Sequence, residues 1–111
     1  MKHKHNFEFA PIAKQRPRMY RGRAFTPQRT QDFEARVAAE WPKDKTVMNN
    51  PCRVVIHLVA KSFTVEVIEL QGELPKMRGD IDNYVKSILD GLNGVAFSDD
   101  KQVLELEVHK R

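Results

Sequence analysis

The sequence predicts an α/β (α+β) domain in which a β-sheet is flanked by two main helices. Two observations carry the helices: apolar residues recur at helical spacing over residues 27–41 and again over residues 81–92. A third carries the sheet: short runs rich in β-branched and aromatic residues lie around and between these windows, bounded by Pro, Gly and Asn. The 111 residues suffice for one domain, 1–111, with a modest core, so pairing with a second copy would bury further surface.

Residues 6–9 read as a short strand with Phe7 and Phe9 on one face, and Pro11 follows. Residues 14–25 contain Pro17 and Gly22 and have no helical period, so an extended or looped basic segment is expected. Thr26-Pro27 is a helix start, with Thr as N-cap and Pro at the first helical position. Phe33, Val37 and Trp41 recur every four residues, and Pro42 ends the helix. Residues 53–60 read as a buried strand. Residues 63–70 fit a second strand through the alternation of Phe63, Val65 and Val67, although a helix fits them too. A turn-rich link carries Pro75. In the second helix Ile81, Tyr84, Val85, Ile88, Leu89 and Leu92 form the apolar face, and Asn93-Gly94 stops it. After a turn at residues 98–101, residues 102–109 alternate as a strand, with Leu104, Leu106 and Val108 on one face.

Composition narrows the class. The chain is 41% hydrophobic and 31% charged, which is globular rather than disordered. No apolar run reaches the roughly 18–20 residues needed to span a bilayer, and the first residues lack the apolar region of a signal peptide, so no membrane association is expected. The single cysteine, Cys52, forms no internal disulfide and fits a reducing cytoplasm; it reads as a core or strand-edge residue. His57 and His109 read as ordinary strand residues. Residues 1–30 carry eight Lys or Arg against Glu8, a net +7 in a chain of net +4, which leaves −3 for the other 81 residues. A basic arm on an acidic body is the charge pattern of a protein that grips a polyanion. Within that arm Tyr20 and Phe25 either stack on exposed bases or serve as core or plain loop residues.

Against this basic background, Asp80, Asp82, Asp90, Asp99 and Asp100 crowd into about twenty residues. On a helix Asp82, Lys86, Asp90 and Asn83 lie at about 0°, 40°, 80° and 100°, on one polar face opposite the apolar one. Asp80 joins Asp82 if the chain is extended there. Capping and turn formation account for individual members: Asp80 as N-cap with Asn83 in a partial capping box, Asp82 in the first turn, Asp90 solvated or paired with Lys86, and Asp99-Asp100 in a turn. Capping does not account for the set. Gathered carboxylates suit Mg²⁺ or Mn²⁺, which take hard oxygen ligands, and a lysine within reach can hold phosphate or orient water. With the basic arm, the pattern points to metal-assisted phosphodiester hydrolysis.

The run Asp80-Ile81-Asp82-Asn83-Tyr84-Val85-Lys86, then Asp90-Gly91-Leu92-Asn93-Gly94, then Phe97-Ser98-Asp99-Asp100-Lys101-Gln102-Val103, resembles the RusA family of Holliday junction resolvases, small and often prophage-encoded endodeoxyribonucleases. Lys14-Gln15-Arg16-Pro17-Arg18, Gly22-Arg23 and Thr26-Pro27 extend the resemblance to the N-terminal part; residues 43–75 add least. The resemblance implies a homodimer on a mixed sheet, making paired nicks in four-way DNA junctions with Mg²⁺ or Mn²⁺ and no small-molecule cofactor. It implies Asp80, Asp82 and one of Asp99 and Asp100 as metal ligands, Asp100 being favoured, with Lys86 as their catalytic companion. Asp90 matches a position typical of the family and is catalytic or structural. Lys14, Arg16, Arg18, Arg21 and Arg23, with Lys76 and Arg78 just ahead of Asp80, would hold the DNA backbone.

Overall fold

The computed structural model describes residues 1–14 and 18–111, and these divide into two compact units, Met1–Gly72 and Glu73–Arg111. The first holds strands β1 (Lys2–Phe7), β2 (Arg18–Tyr20) and β3 (Arg23–Phe25), helix α1 (Gln28–Glu40), and strands β4 (Cys52–Leu58) and β5 (Phe63–Glu69). The second holds helix α2 (Ile81–Leu92) and a 3-10 turn at Asp100–Gln102. Two antiparallel sheets and two main helices give the expected α+β class. No helix among the described residues is long and apolar enough to cross a membrane.

In the first unit β5 lies between β1 and β4, and both pairings are antiparallel. The alternation of 63–70 therefore resolves as a strand, not a helix. Phe7 faces Phe63 across one ladder, and Leu58 faces Phe63 across the other. Phe7 is fully buried, and Phe9 and Phe63 nearly so. The Phe7 and Phe63 rings stack at 4.7 Å, and Phe9 meets Phe63 edge-on at 5.3 Å. Phe33, Val37 and Trp41, the helical stripe read from the sequence, pack against this cluster. Arg36 lies over the Phe9 ring at 4.0 Å, so its stem covers apolar surface while its charge stays wet. On the opposite sheet face Lys2 pairs with Glu66 at 3.0 Å; that hydrogen bond, with Lys4 and Arg53 nearby, holds the Glu66 carboxyl below its usual range.

Several expectations shift. β1 starts at Lys2 rather than at residue 6, because His3 and His5 take inward positions; His5 meets Phe7 edge-on at 4.7 Å. Helix α1 starts at Gln28, with Pro27 as N-cap and no side-chain cap bond. The Thr26 carbonyl instead accepts a hydrogen bond from Gln31 Nε2 at 2.6 Å. Cys52 is the exposed first residue of the edge strand β4.

The looped basic segment contains a hairpin. Arg18 pairs with Phe25, Met19 with Ala24 and Tyr20 with Arg23, and the turn is Arg21-Gly22. Both turn residues have positive φ, 50° for Arg21 and 76° for Gly22, the sign that the two-residue turns of twisted hairpins require. Glycine meets that demand freely; for arginine the left-handed region costs roughly 1–2 kcal/mol.

The second unit contains no buried residue among those described. Helix α2 has the predicted bounds, with Asn93 as C-cap and Gly94 at φ 82°. The strand expected over residues 102–109 does not form: residues 103–111 lie outside any strand or helix. Alternation sets the faces of a segment but supplies no ladder partner, and Leu104 remains 91% exposed.

Candidate active site

The candidate acidic residues lie at the start of α2 and around the 3-10 turn. Asp80 is the N-cap of α2 in extended backbone, and its carbonyl accepts from the amides of Asn83 at 3.1 Å and Tyr84 at 3.3 Å. Its side chain makes no cap hydrogen bond, so the partial capping box with Asn83 is absent. Asp82 occupies the first turn, where the helix dipole favours a carboxylate. Asp80, Asp82, Lys86 and Asp90 are all exposed. Among the described residues no salt bridge joins Lys86 to Asp82 or Asp90, and Asp80 has none.

Asp99 and Asp100 differ sharply although adjacent. Asp99 caps the 3-10 turn: its Oδ1 accepts from the Lys101 amide at 2.9 Å, and its own amide donates to Gln102 Oε1 at 3.0 Å. The Gln102 amide also donates to the Asp99 side chain, which with the Asp99 amide bond to Gln102 completes a capping box. The Lys101 amide bond, then the Asp100 side chain and the Lys101 charge, lower the Asp99 carboxyl below its ordinary range. Asp100 is half-buried and borders a cavity of about 250 Å³ with Leu89, Val103, Leu104, Glu105 and Leu106.

Three positioning residues were not anticipated. The Gly79 amide donates to the Tyr84 hydroxyl at 3.2 Å, and Lys110 Nζ donates to the Gly79 carbonyl at 3.0 Å. A Cβ on Gly79 would sit 2.7 Å from the Tyr84 ring, so a larger residue there would push the ring aside and break its hydrogen bond to the Gly79 amide. The backbone entering Asp80 is thus tied down from both sides. In the sequence Tyr84 reads as one more member of an apolar face; a hydroxylated residue there, five positions after a glycine, was the available signal. Glu105, which alternates with Leu104 and Leu106 in the sequence, lines the same cavity as Asp100.

The carboxylates supply the hard oxygen donors that suit Mg²⁺ or Mn²⁺, and among the described residues Asp80 and Asp82 form no salt bridge. No group of three potential ligands is gathered closely enough to hold a metal ion among the described residues. Of the expected DNA contacts, Lys14 forms an exposed 3.4 Å ion pair with Glu34. Arg16 lies outside the described residues. Arg18 begins β2, Arg21 is at the hairpin tip and Arg23 begins β3. Lys76 and Arg78 are exposed in the link ahead of α2.

Comparisons with known proteins identify the family. Residues 8–111 match the model of the family described as Endodeoxyribonuclease RusA, a span that takes in all of the second unit and the first from Glu8 onward. A stretch of 36 residues is 47% identical to the uncharacterized protein YqaN of Bacillus subtilis (strain 168), covering 32% of this chain and 25% of YqaN, so the match spans only a quarter of that relative's length. No solved structure matches. With a family match that runs from Glu8 to the last residue and takes in every expected acidic position, the chain belongs to the RusA family of endodeoxyribonucleases.

Proposed function

We propose that this chain resolves four-way DNA junctions by paired, divalent-metal-dependent phosphodiester cleavage, acting in DNA recombination and repair as a homodimer. The observation that carries the reading is the family match over residues 8–111, which spans the Asp80-x-Asp82-Asn83-x-x-Lys86 run and the Asp99-Asp100 pair. The same span supports treating both units as one endonuclease domain.

Asp80, Asp82 and Asp100 are the proposed ligands. The capping role of Asp99 supports Asp100 as the ligand of that pair, because its neighbour's carboxylate is already committed to backbone amides. When bound, the Mg²⁺ or Mn²⁺ lowers the pKa of a water and stabilises charge on the phosphate. Asp80 and Asp82 present acceptor oxygens from a backbone pinned by Tyr84 and Lys110. Lys86, exposed and without a salt bridge among the described residues, offers an ammonium to a phosphate oxygen or orients the attacking water. The basic arm holds the DNA backbone. Two copies bring two sites to two opposed strands, with a symmetry that matches a junction. The lone thiol supports a cytoplasmic setting.

The test is cleavage of a mobile four-way junction, labelled on each strand in turn, with Mg²⁺, with Mn²⁺ and with chelator. Symmetric paired nicks that vanish with chelator are expected. Tight junction binding without nicking under either ion would make this a DNA-binding protein whose aspartates only cap and turn. Equal nicking of flaps and linear duplex would make it a metal nuclease of another substrate class.

A further inference from the structure

The β2–β3 hairpin presents an aromatic surface that the first unit does not use for its own core. Its register places Tyr20 opposite Arg23, and Phe25 one diagonal step away on the same face, while Met19 lies on the other. Tyr20 is 63% exposed and Phe25 44%, so neither of the two aromatics in the basic segment is a core residue. The guanidinium of Arg21 lies over the Tyr20 ring at 5.3 Å. Arg21 holds that place from a left-handed backbone conformation that asparagine or glycine would adopt more readily. The hairpin tip therefore keeps a cation where turn chemistry alone would not select one. Residues 1–30 carry a net +7, so the rings sit within a strongly positive segment.

From this arrangement we propose that the hairpin is a base-stacking element, in which Tyr20 stacks on a nucleobase displaced from the duplex while Arg21 and Arg23 hold the flanking phosphates. Rings interleaved with cations, with both exposed, are the pattern that binds unpaired nucleic acid without reading its sequence. Bases within a paired duplex have no free face, so the contribution of Tyr20 is confined to DNA with unstacked bases, as at a branch point. A protein partner would be matched by the apolar rings but not by the surrounding positive charge. The inference rests on the DNA-cleaving reading above and adds to it the feature of the substrate that is recognised.

Binding without divalent metal is measured for the full chain on a four-way junction, a duplex with a three-nucleotide bulge, and the same duplex fully paired. Tyr20→Ala is expected to weaken junction and bulge binding about tenfold and paired-duplex binding less than about twofold. Tyr20→Phe retains the wild-type preference. Arg23→Ala weakens all three alike. In the wild-type complex, 5-iododeoxyuridine at the branch point is expected to photo-crosslink to the peptide containing Tyr20, and the same base within an arm is not. An equal effect of Tyr20→Ala on all three DNAs, or no effect, overturns the proposal. So does a branch-point crosslink that avoids the hairpin, or a Tyr20→Ala protein that changes oligomeric state, since the ring would then belong to an interface between copies. Wild-type preference for the bulge without preference for the junction would sink the junction reading and leave the stacking element standing.

Discussion

The two units divide the work of a nuclease unequally. Residues 1–72 carry thirteen Lys or Arg against seven acids, a net +6, and hold every buried residue among those described. Residues 73–111 carry six against eight, a net −2, hold all the proposed ligands, and bury nothing. In the second unit Ile88, Leu104 and Leu106 are 61%, 91% and 58% exposed. Burial and the proposed chemistry therefore lie in different stretches. The first unit stabilises itself through an aromatic cluster; the second supplies charged groups on a helix of twelve residues, a length that is marginal alone in water.

The largest expected effect sharpens this division. Asp82→Asn should lower junction cleavage roughly 10²–10³-fold, while leaving junction affinity intact and unfolding free energy within about 0.5 kcal/mol. Single-turnover cleavage, a binding titration and a urea melt measure the three quantities. Full cleavage by this variant would remove Asp82 from the proposed metal site.

Phe63→Ala is the converse. It deletes the ring at the centre of the aromatic cluster and should cost about 3–5 kcal/mol, a large part of a total near 5–15 kcal/mol. Denaturant unfolding reads this directly. A loss below about 1 kcal/mol would mean that the first unit is not the stabilising one.

A smaller effect is expected at Arg23. Replacement by alanine should weaken binding to all DNA sequences and reduce the slope of log affinity against log salt by about one. An unchanged slope would separate Arg23 from the phosphate-binding surface.

The smallest concerns the Asp99 cap. Its folded carboxyl lies below its ordinary range, so the unfolded chain binds the proton at higher pH than the folded one. The cap's contribution is therefore present above the unfolded-state pKa, near roughly 3.9, and is lost as pH falls through the lower, folded one. The Lys101 amide resonance, followed through acid titration, should shift with a midpoint below that of a free aspartate, and Asp99→Asn should abolish the titration. A midpoint at or above the free value would contradict the capping geometry.

How much was legible in the sequence depended on range. Helix α2 reads to the residue because its six apolar positions, Asp80 before it and Asn93-Gly94 after it are all local signals. Helix α1 is displaced by one residue because Pro27, fixed in φ, serves as the cap in place of Thr26. The hairpin was illegible: Arg21-Gly22 lacks the usual Asn-Gly or Asp-Gly signature, and its strands are only three residues long. Residues 102–109 show the opposite failure, a clear alternation without a ladder. In the site, the acids were legible as a set, but their roles were not. Asp99 and Asp100 are chemically identical neighbours, and only the turn geometry commits one of them to backbone amides.

The sequence by itself determined the two helices, the aromatic stripe of α1, the separation of basic arm from acidic body, and the order of the acidic residues. Those features depend on spacing along the chain, and the 3.6-residue period and side-chain charge are expressed locally. Only the tertiary structure decided that β5 lies between β1 and β4, that Tyr84 and Lys110 clamp Gly79 ahead of Asp80, and that Tyr20 and Phe25 stay exposed on a hairpin. The strand order and the Lys110–Gly79 bond join residues that chain spacing leaves unconnected. Strand pairing and burial are chosen by competition among distant segments for the same ladder edge and the same apolar surface, and no local pattern records which segment wins.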